Sequence, residues 1–154
     1  REIKYVPLST GTYFFKRSIP ALENSFGILI PPRSKIRAIG VLHNNAIFTE
    51  RTKIDQLESY TFISKAEDYS QSDALRDASA LGKKSFNDSD ILIQEQTCWS
   101  KGIPLYDHKR RKAIAKARTF LKNEEGLVLF GNYVDGISIR EMIKSAKNFA
   151  KYSY

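Results

Sequence analysis

The stretch Gly126-Leu127-Val128-Leu129-Phe130-Gly131-Asn132-Tyr133-Val134-Asp135-Gly136-Ile137-Ser138-Ile139 decides how the chain is read. The apolar run Leu127 to Phe130 ends at Gly131 and is too short for an ordinary helix, so it predicts a buried strand. Gly136 allows an unusual backbone angle or a close approach. Ser138 with Glu141 three residues later has the form of a capping box, and Ile139, Met142, Ile143, Ala146 and Phe149 recur at helical spacing, so a helix is expected to start here. The free N–H groups of that helix would point at whatever sits above the turn. The same pattern also serves a plain strand–turn–helix that holds no ligand.

Outward from this stretch, 154 residues with 42% hydrophobic and 12% aromatic content suffice for one domain with a real core. The chain starts at Arg1 rather than Met, so a fragment or a processed product is expected. It has no apolar run long enough to span a bilayer and no signal-peptide pattern at its start. One cysteine, Cys98, excludes an internal disulfide framework and suits a reducing compartment, and with two histidines it gives no basis for a structural zinc site. The net charge of +8 favours anionic partners, such as nucleic acid, phosphate groups, an acidic membrane surface or carboxylate ligands. Much of that charge lies in Lys109-Arg110-Arg111-Lys112, Lys116, Arg118 and Lys122, above a helical stripe of Ala113, Ile114, Ala117, Phe120 and Leu121. Either a solvated face or an electrostatic docking surface fits this helix.

In chain order, Lys4 to Phe15 predicts one or two strands, the first at a sheet edge because Pro7 has no donor for a ladder. Phe26 to Ile30 and Ala38 to Leu42 predict an antiparallel hairpin, broken by His43-Asn44-Asn45, with a charged loop over 49–55. Gln56 to Ser64 adds a third β segment and implies a meander. A short helix is expected between Asp68 and Gly82, with Gly82 as its stop, then a strand from Asp90 to Cys98. Gly102 and Pro104 predict irregular structure from Trp99 to Tyr106, followed by the basic helix from His108 to Leu121. The fold class is therefore α+β, with a mixed, mostly antiparallel sheet and helices, ending in a strand–turn–helix.

No catalytic residue is assigned. His43 and His108 have no local nucleophile arrangement, nothing around Cys98 requires its activation, and the carboxylates are scattered. Neither GxxxxGK[ST] nor GxGxxG occurs, so a nucleotide-phosphate site, if there is one, lies elsewhere.

Four stretches in order are Tyr5-Val6-Pro7-Leu8; Phe26-Gly27-Ile28-Leu29-Ile30-Pro31 with Ile39-Gly40-Val41-Leu42; Trp99-Ser100-Lys101-Gly102-Ile103-Pro104-Leu105-Tyr106; and Gly131-Asn132-Tyr133-Val134-Asp135-Gly136-Ile137-Ser138. Together they resemble the C-terminal part of the FAD-dependent protoporphyrinogen oxidase family, a branch of the flavin amine oxidoreductases. The resemblance covers nearly the whole chain. The family's GxGxxG region and helical membrane-binding insert are not in this sequence.

The resemblance implies that 1–98 is a substrate-binding-domain portion and 99–154 the C-terminal part of an FAD-binding domain. By the same resemblance, Trp99, Gly131, Asn132, Tyr133, Gly136, Ile137 and Ser138 lie against FAD. Leu29 and Leu42 match two aliphatic substrate contacts, and Phe62 an aromatic stacking position. The implied reaction is oxidation of protoporphyrinogen IX to protoporphyrin IX in haem biosynthesis, by hydride removal to flavin N5. The chain alone is expected to be inactive and to need an N-terminal FAD-binding portion. A homodimer is an expected response to exposed apolar surface, and the expected location is cytoplasmic or peripheral on an inner membrane. No metal is implied. His43-Asn44-Asn45, Ser64-Lys65 and Arg140-Glu141 depart from the family pattern. Two alternatives stand beside this reading: another flavin amine oxidoreductase, such as a desaturase, and a basic nucleic-acid-binding module using the helix from His108.

Overall fold

The computed structural model describes residues 3–50, 56–65 and 68–152, and the backbone alone at 151–152. The chain divides into two compact units, one of Pro7–Ser100 and one of Arg1–Val6 with Lys101–Tyr154. A five-stranded sheet is formed by β1 (Tyr5–Phe15), β2 (Gly27–Leu29), β3 (Gly40–His43), β4 (Glu58–Ser64) and β5 (Ile91–Pro104), in the order β2-β3-β4-β1-β5. The β2–β3, β3–β4 and β1–β4 pairs are antiparallel, and β2, β3 and β4 form the expected meander. Helices α1 (Asn44–Ile47), α2 (Gln71–Gly82), α3 (His108–Leu121), α4 (Asn132–Asp135) and α5 (Ile139–Tyr152) complete the α+β fold.

In the Pro7–Ser100 unit, alternation sorts the strand residues onto two faces. Tyr13, Phe15, Val41, Tyr60 and Phe62 take one face and are fully buried with Ile19, Leu22, Tyr69, Ala74 and Ala78. Edge-on aromatic packing fills this core, with Phe15 5.5 Å from Phe86 and Tyr13 5.8 Å from Phe62. Helix α2 starts at a capping box, in which the Ser70 hydroxyl accepts the Asp73 N–H and the Asp73 carboxylate accepts the Ser70 N–H. Asp77, fully buried, accepts the backbone N–H groups of Arg37 (3.1 Å) and Ala38 (2.8 Å) and the Tyr69 hydroxyl (3.0 Å).

Several elements differ from the sequence expectations, each for a physical reason. β1 is one strand and lies inside the sheet; its ladder with β4 begins at Ser9, beyond Pro7, so the missing Pro7 donor costs that ladder nothing. His43-Asn44-Asn45 ends β3 but also opens α1, whose Asn45 amide holds β4 and the residue before it: Oδ1 accepts the Ser59 N–H, and Nδ2 donates to Leu57 O. Part of the charged loop expected over 49–55 falls on 51–55, outside the described residues. Gly82 does not stop α2 by adopting a positive φ; Lys83 does that at φ 51°, and a Cβ on Gly82 would sit 3.0 Å from the Phe86 ring. β5 continues through Gly102 to Pro104, because a strand at the end of the sheet order needs ladder partners on one side only.

In the second unit, Leu105 N–H bonds to Lys4 O at 2.8 Å, and α3 is N-capped by Asp107, which accepts the Arg110 N–H at 2.7 Å. The largest departure is at 127–130. These residues are not a strand, and Leu127 (57%), Val128 (56%) and Phe130 (42%) are exposed. A buried strand requires neighbours for its N–H and C=O groups, and no described strand flanks this run. The closing element is thus an extended run, the short helix α4, a turn at Gly136, and α5.

Candidate functional site

Two places hold the residues singled out by sequence, one in each unit. The first is the sheet face opposite the aromatic core. Ladder registers place residues from four strands in two cross-strand rows on that face: Leu29–Gly40–Ile63–Thr10, and Gly27–Leu42–Thr61–Thr12. The Trp99 indole N–H, from β5, donates to Thr10 Oγ1 at 3.2 Å and extends the first row. Leu29 is 90% exposed and Trp99 53%. The structure therefore brings Leu29, Leu42 and Trp99 to one face. It places Phe62 on the other, fully buried and packed against Tyr69 with ring centroids 6.4 Å apart. Strand alternation forces this separation: Phe62 pairs with Val41 and Gly11, whereas its neighbours Thr61 and Ile63 pair with Leu42 and Gly40.

Polar groups border this face. Asn44 Nδ2 donates to Ser59 Oγ at 2.9 Å and to Thr61 Oγ1 at 3.0 Å, and the Thr61 and Thr12 hydroxyls bond at 2.8 Å. On the core side, His43 stacks on Tyr60 at 4.8 Å and bonds through Nε2 to Glu58 at 2.7 Å. Burial pushes the Tyr60 hydroxyl up to about 12, and burial with the nearby Asp77 carboxylate raises that of Tyr69 further. The two tyrosine hydroxyls belong to the core and stay protonated at neutral pH.

The second place is the turn 131–138. Gly131 and Gly136 have φ of 135° and 143°, which other residues rarely adopt, and a Cβ on either would lie 3.0 Å from Tyr133 Cε1 or Glu141 Cβ. The turn is held from α3. Arg110 is 7% exposed; its Nε donates to Tyr133 O at 2.6 Å and its Nη2 to Val134 O at 2.8 Å. The guanidinium lies 3.8 Å from the centre of the Tyr106 ring, whose hydroxyl donates to Asn132 O. Asp135 pairs with Arg118 at 2.8 Å and accepts from Ser145 at 2.7 Å. Ser138 Oγ accepts the Glu141 N–H at 3.2 Å, so α5 starts where the sequence predicts. Asn132 and Tyr133 are thus held against Tyr106 and Arg110, while Gly136, Ile137 and Ser138 lead into the 14-residue helix α5. Its first N–H groups have no partners within the helix.

The sequence names Arg110, Tyr106 and Asn44 but assigns none of them a role in a site. The basic run 109–112 hides which of its members turns inward; only the Asp107 N-cap, which fixes the start of α3, would have given the phase. Beside Arg110, a groove of about 950 Å³ follows α3, with Ala113, Ala117 and Phe120 along it and Lys109, Lys112 and Lys116 at its rim. Among the described residues no group of three or more His, Cys, Asp or Glu could hold a metal ion, and no helix is long and apolar enough to cross a membrane.

This arrangement, an antiparallel sheet with one polar-bordered open face and a glycine turn leading into a helix, is the fold of a portion of larger proteins. Over 97% of its length the chain superposes on 35% of a solved structure assigned as a protoporphyrinogen oxidase, from Exiguobacterium sp. 255-15, with a TM-score of 0.72 and 15% identity. Over 87% it superposes on 29% of reduced UDP-galactopyranose mutase, with a TM-score of 0.68 and 12% identity. In sequence, the chain is similar to mitochondrial protoporphyrinogen oxidase of Nicotiana tabacum, 27% identical over 163 aligned positions, 97% of this chain. It spans about a third (32%) of that relative's length. No family profile matches the chain.

Proposed function

We propose that this chain is the C-terminal portion of an FAD-dependent oxidoreductase that converts protoporphyrinogen IX to protoporphyrin IX. The observation that carries the reading is the shared open face of Leu29, Leu42 and Trp99, in a chain similar to a protoporphyrinogen oxidase along 97% of its length. A planar apolar substrate needs an extended apolar wall, and this face supplies one bordered by hydroxyl and amide groups.

The residues at 131–138 fit the edge of a flavin. The two positive-φ glycines keep the turn narrow, Arg110 fixes its carbonyls from behind, and the N-terminus of α5 offers backbone donors and the positive end of its dipole. When bound, FAD supplies the hydride-accepting chemistry. The chain's own part is to seat the substrate, to exclude water from it, and to favour negative charge near the α5 terminus. No side chain here is assigned proton transfer. The phosphate-binding half of the FAD site belongs, on this reading, to an N-terminal portion. The tetrapyrrole, that portion and a homodimer are the proposed partners, and a peripheral membrane position is proposed for the whole protein.

The test is made on the longer protein containing this chain. It is expected to purify with bound flavin and to generate protoporphyrin fluorescence from protoporphyrinogen IX, with Trp99→Ala raising the KM for protoporphyrinogen IX. A protein without flavin that instead binds single-stranded nucleic acid, with affinity falling steeply between low and physiological salt, would favour the basic-module alternative and sink this reading.

A further inference from the structure

We propose that the groove along α3 docks an acidic amphipathic helix of a partner protein, whose apolar row lies on Ala113, Ala117 and Phe120 between carboxylates that meet Lys109, Lys112 and Lys116. This does not depend on the reading above. Of the α3 residues only Arg110 and Ile114 are buried. The apolar stripe of the helix is therefore wider than its own unit covers: Ala113 is exposed, Ala117 is half-buried and Phe120 is 65% exposed. Positions 113, 117 and 120 recur at the spacing of one helix face, and the lysines at 109, 112 and 116 line the same groove. Ile3 adds to its apolar lining and Lys4 to its charge.

The charge selects the partner. Two arginines of α3 are engaged within the chain, Arg110 on the Tyr133 and Val134 carbonyls and Arg118 with Asp135. Lys109, Lys112, Lys116 and Lys4 pair with no carboxylate among the described residues. Asp107, the acidic residue lining the groove, is engaged as the N-cap of α3. A partner that brings carboxylates to this rim relieves the repulsion among like charges, and a basic partner adds to it. The shape selects a helix. From Lys109 to Phe120 α3 runs about 16 Å, at about 1.5 Å per residue. A groove of about 950 Å³ over that length has a cross-section of about 60 Å², which admits a row of side chains from a helix lying alongside rather than a whole helix. Ala113 and Ala117 let the partner backbone come close, and Phe120 offers an aromatic anchor at one end. Single-stranded nucleic acid is held by successive stacking aromatics, and Phe120 is the one aromatic among the groove's described lining residues. A lipid surface is flat, so it would meet the lysine rim and leave the floor uncovered.

The probe is a fluorescein-labelled peptide of about 18 residues, with leucines at i, i+3, i+4 and i+7 spacing and glutamates flanking them, beside a twin carrying lysines in place of the glutamates. Anisotropy titrations use the 154-residue chain and the longer protein containing it. The glutamate peptide is expected to bind both proteins, about tenfold tighter than its twin. Lys109→Glu, Lys112→Glu and Lys116→Glu together are expected to reverse that preference. The same charge change at Lys35, Lys65 and Lys84, all exposed and outside the groove, is expected to leave it in place. Phe120→Ser is expected to weaken both peptides by about tenfold. Unchanged melting by circular dichroism shows that these exposed substitutions leave the fold intact. Equal binding of the two peptides, or a preference that follows the control lysines as much as the groove lysines, would overturn the proposal. So would tighter binding of polyuridine or of phosphatidylglycerol vesicles through the same lysines, or loss of peptide binding in the longer protein, where the groove would then be closed by the polypeptide itself.

Discussion

Replacing Asp77 with alanine measures how the open face is kept in position, because this carboxylate of α2 holds the backbone that enters β3. The side chain is fully buried and accepts three hydrogen bonds, from Arg37 N–H, Ala38 N–H and the Tyr69 hydroxyl. Arg37 is exposed, so water can replace its partner; Ala38 is 2% exposed and Tyr69 1%, so theirs cannot be replaced without rearrangement. Two stranded donors at about 1–3 kcal/mol each give a gross loss of about 2–6 kcal/mol. Removing a buried charge returns part of that, for a net loss of about 2–4 kcal/mol. With a urea m-value of about 2 kcal/mol per M, the midpoint should fall by about 1–2 M. Urea unfolding followed by Trp99 fluorescence reads it, and hydrogen exchange at Ala38 reports the freed segment. Asp68→Asn serves as the control, since Asp68 pairs with Arg37 at 82% side-chain exposure and should cost about 0.5 kcal/mol or less. A loss below about 1 kcal/mol for Asp77→Ala would refute the view that Asp77 anchors the approach to β3.

Three further outcomes follow from the same reasoning. Arg110→Lys keeps the charge but has no planar fork to serve two carbonyls, so hydrogen exchange across 131–136 should accelerate nearly as much as in Arg110→Ala. Gly136→Ala should cost about 1–3 kcal/mol in thermal unfolding, because φ 143° and a contact at 3.0 Å with Glu141 both oppose a Cβ. Stability should also bend at both ends of the pH range. Asp73, despite its burial, is held below 3.8 by hydrogen bonds from Ser70 and Arg37, and Asp90 is held below it by Arg17, so their stabilisation is lost as pH falls below about 3.8. Tyr60, raised from 10.0 to about 12, favours the folded state below pH 10 and loses that contribution as pH rises toward 12. Denaturation across pH, with Asp73→Asn and Tyr60→Phe flattening the acid and alkaline limbs, checks the signs.

Most of the Pro7–Ser100 unit was legible because its signals are local. The hairpin of Phe26–Ile30 and Ala38–Leu42, the third strand and the helix ending at Gly82 each follow from periodicity and punctuation. The helix α3 matches its expected bounds for the same reason, as does the start of α5 at Ser138. What failed depended on neighbours. Leu127 to Phe130 carries a strand's composition, but a buried strand is a property of the sheet around it. Gly102 and Pro104 break a central strand and are tolerated in an outer one, and sequence does not state which is which. The helix ends at Gly82 as the sequence predicts, but the left-handed residue is Lys83, and the Phe86 ring is what requires the missing side chain of Gly82, a contact set by the fold.

The placement of Phe62 carries the sharpest lesson for the site. Residues 62 and 63 are adjacent in sequence and opposite in space, so a shift of one residue along the strand exchanges a side chain of the open face for a core one. The internal check needed only this strand: Tyr60, Phe62 and Ser64 share a parity, as do Ser59, Thr61 and Ile63, and the run of bulky aromatics marks the packed face. Leu29 and Leu42 lie on the open face from paired strands, and Phe62 lies on the packed one. The open face is consequently aliphatic and hydroxylated on the described strands, with a single indole at its β5 side. On β4 that face presents Ser59, Thr61 and Ile63 and no aromatic side chain, because the strand's alternation commits Tyr60 and Phe62 to the core.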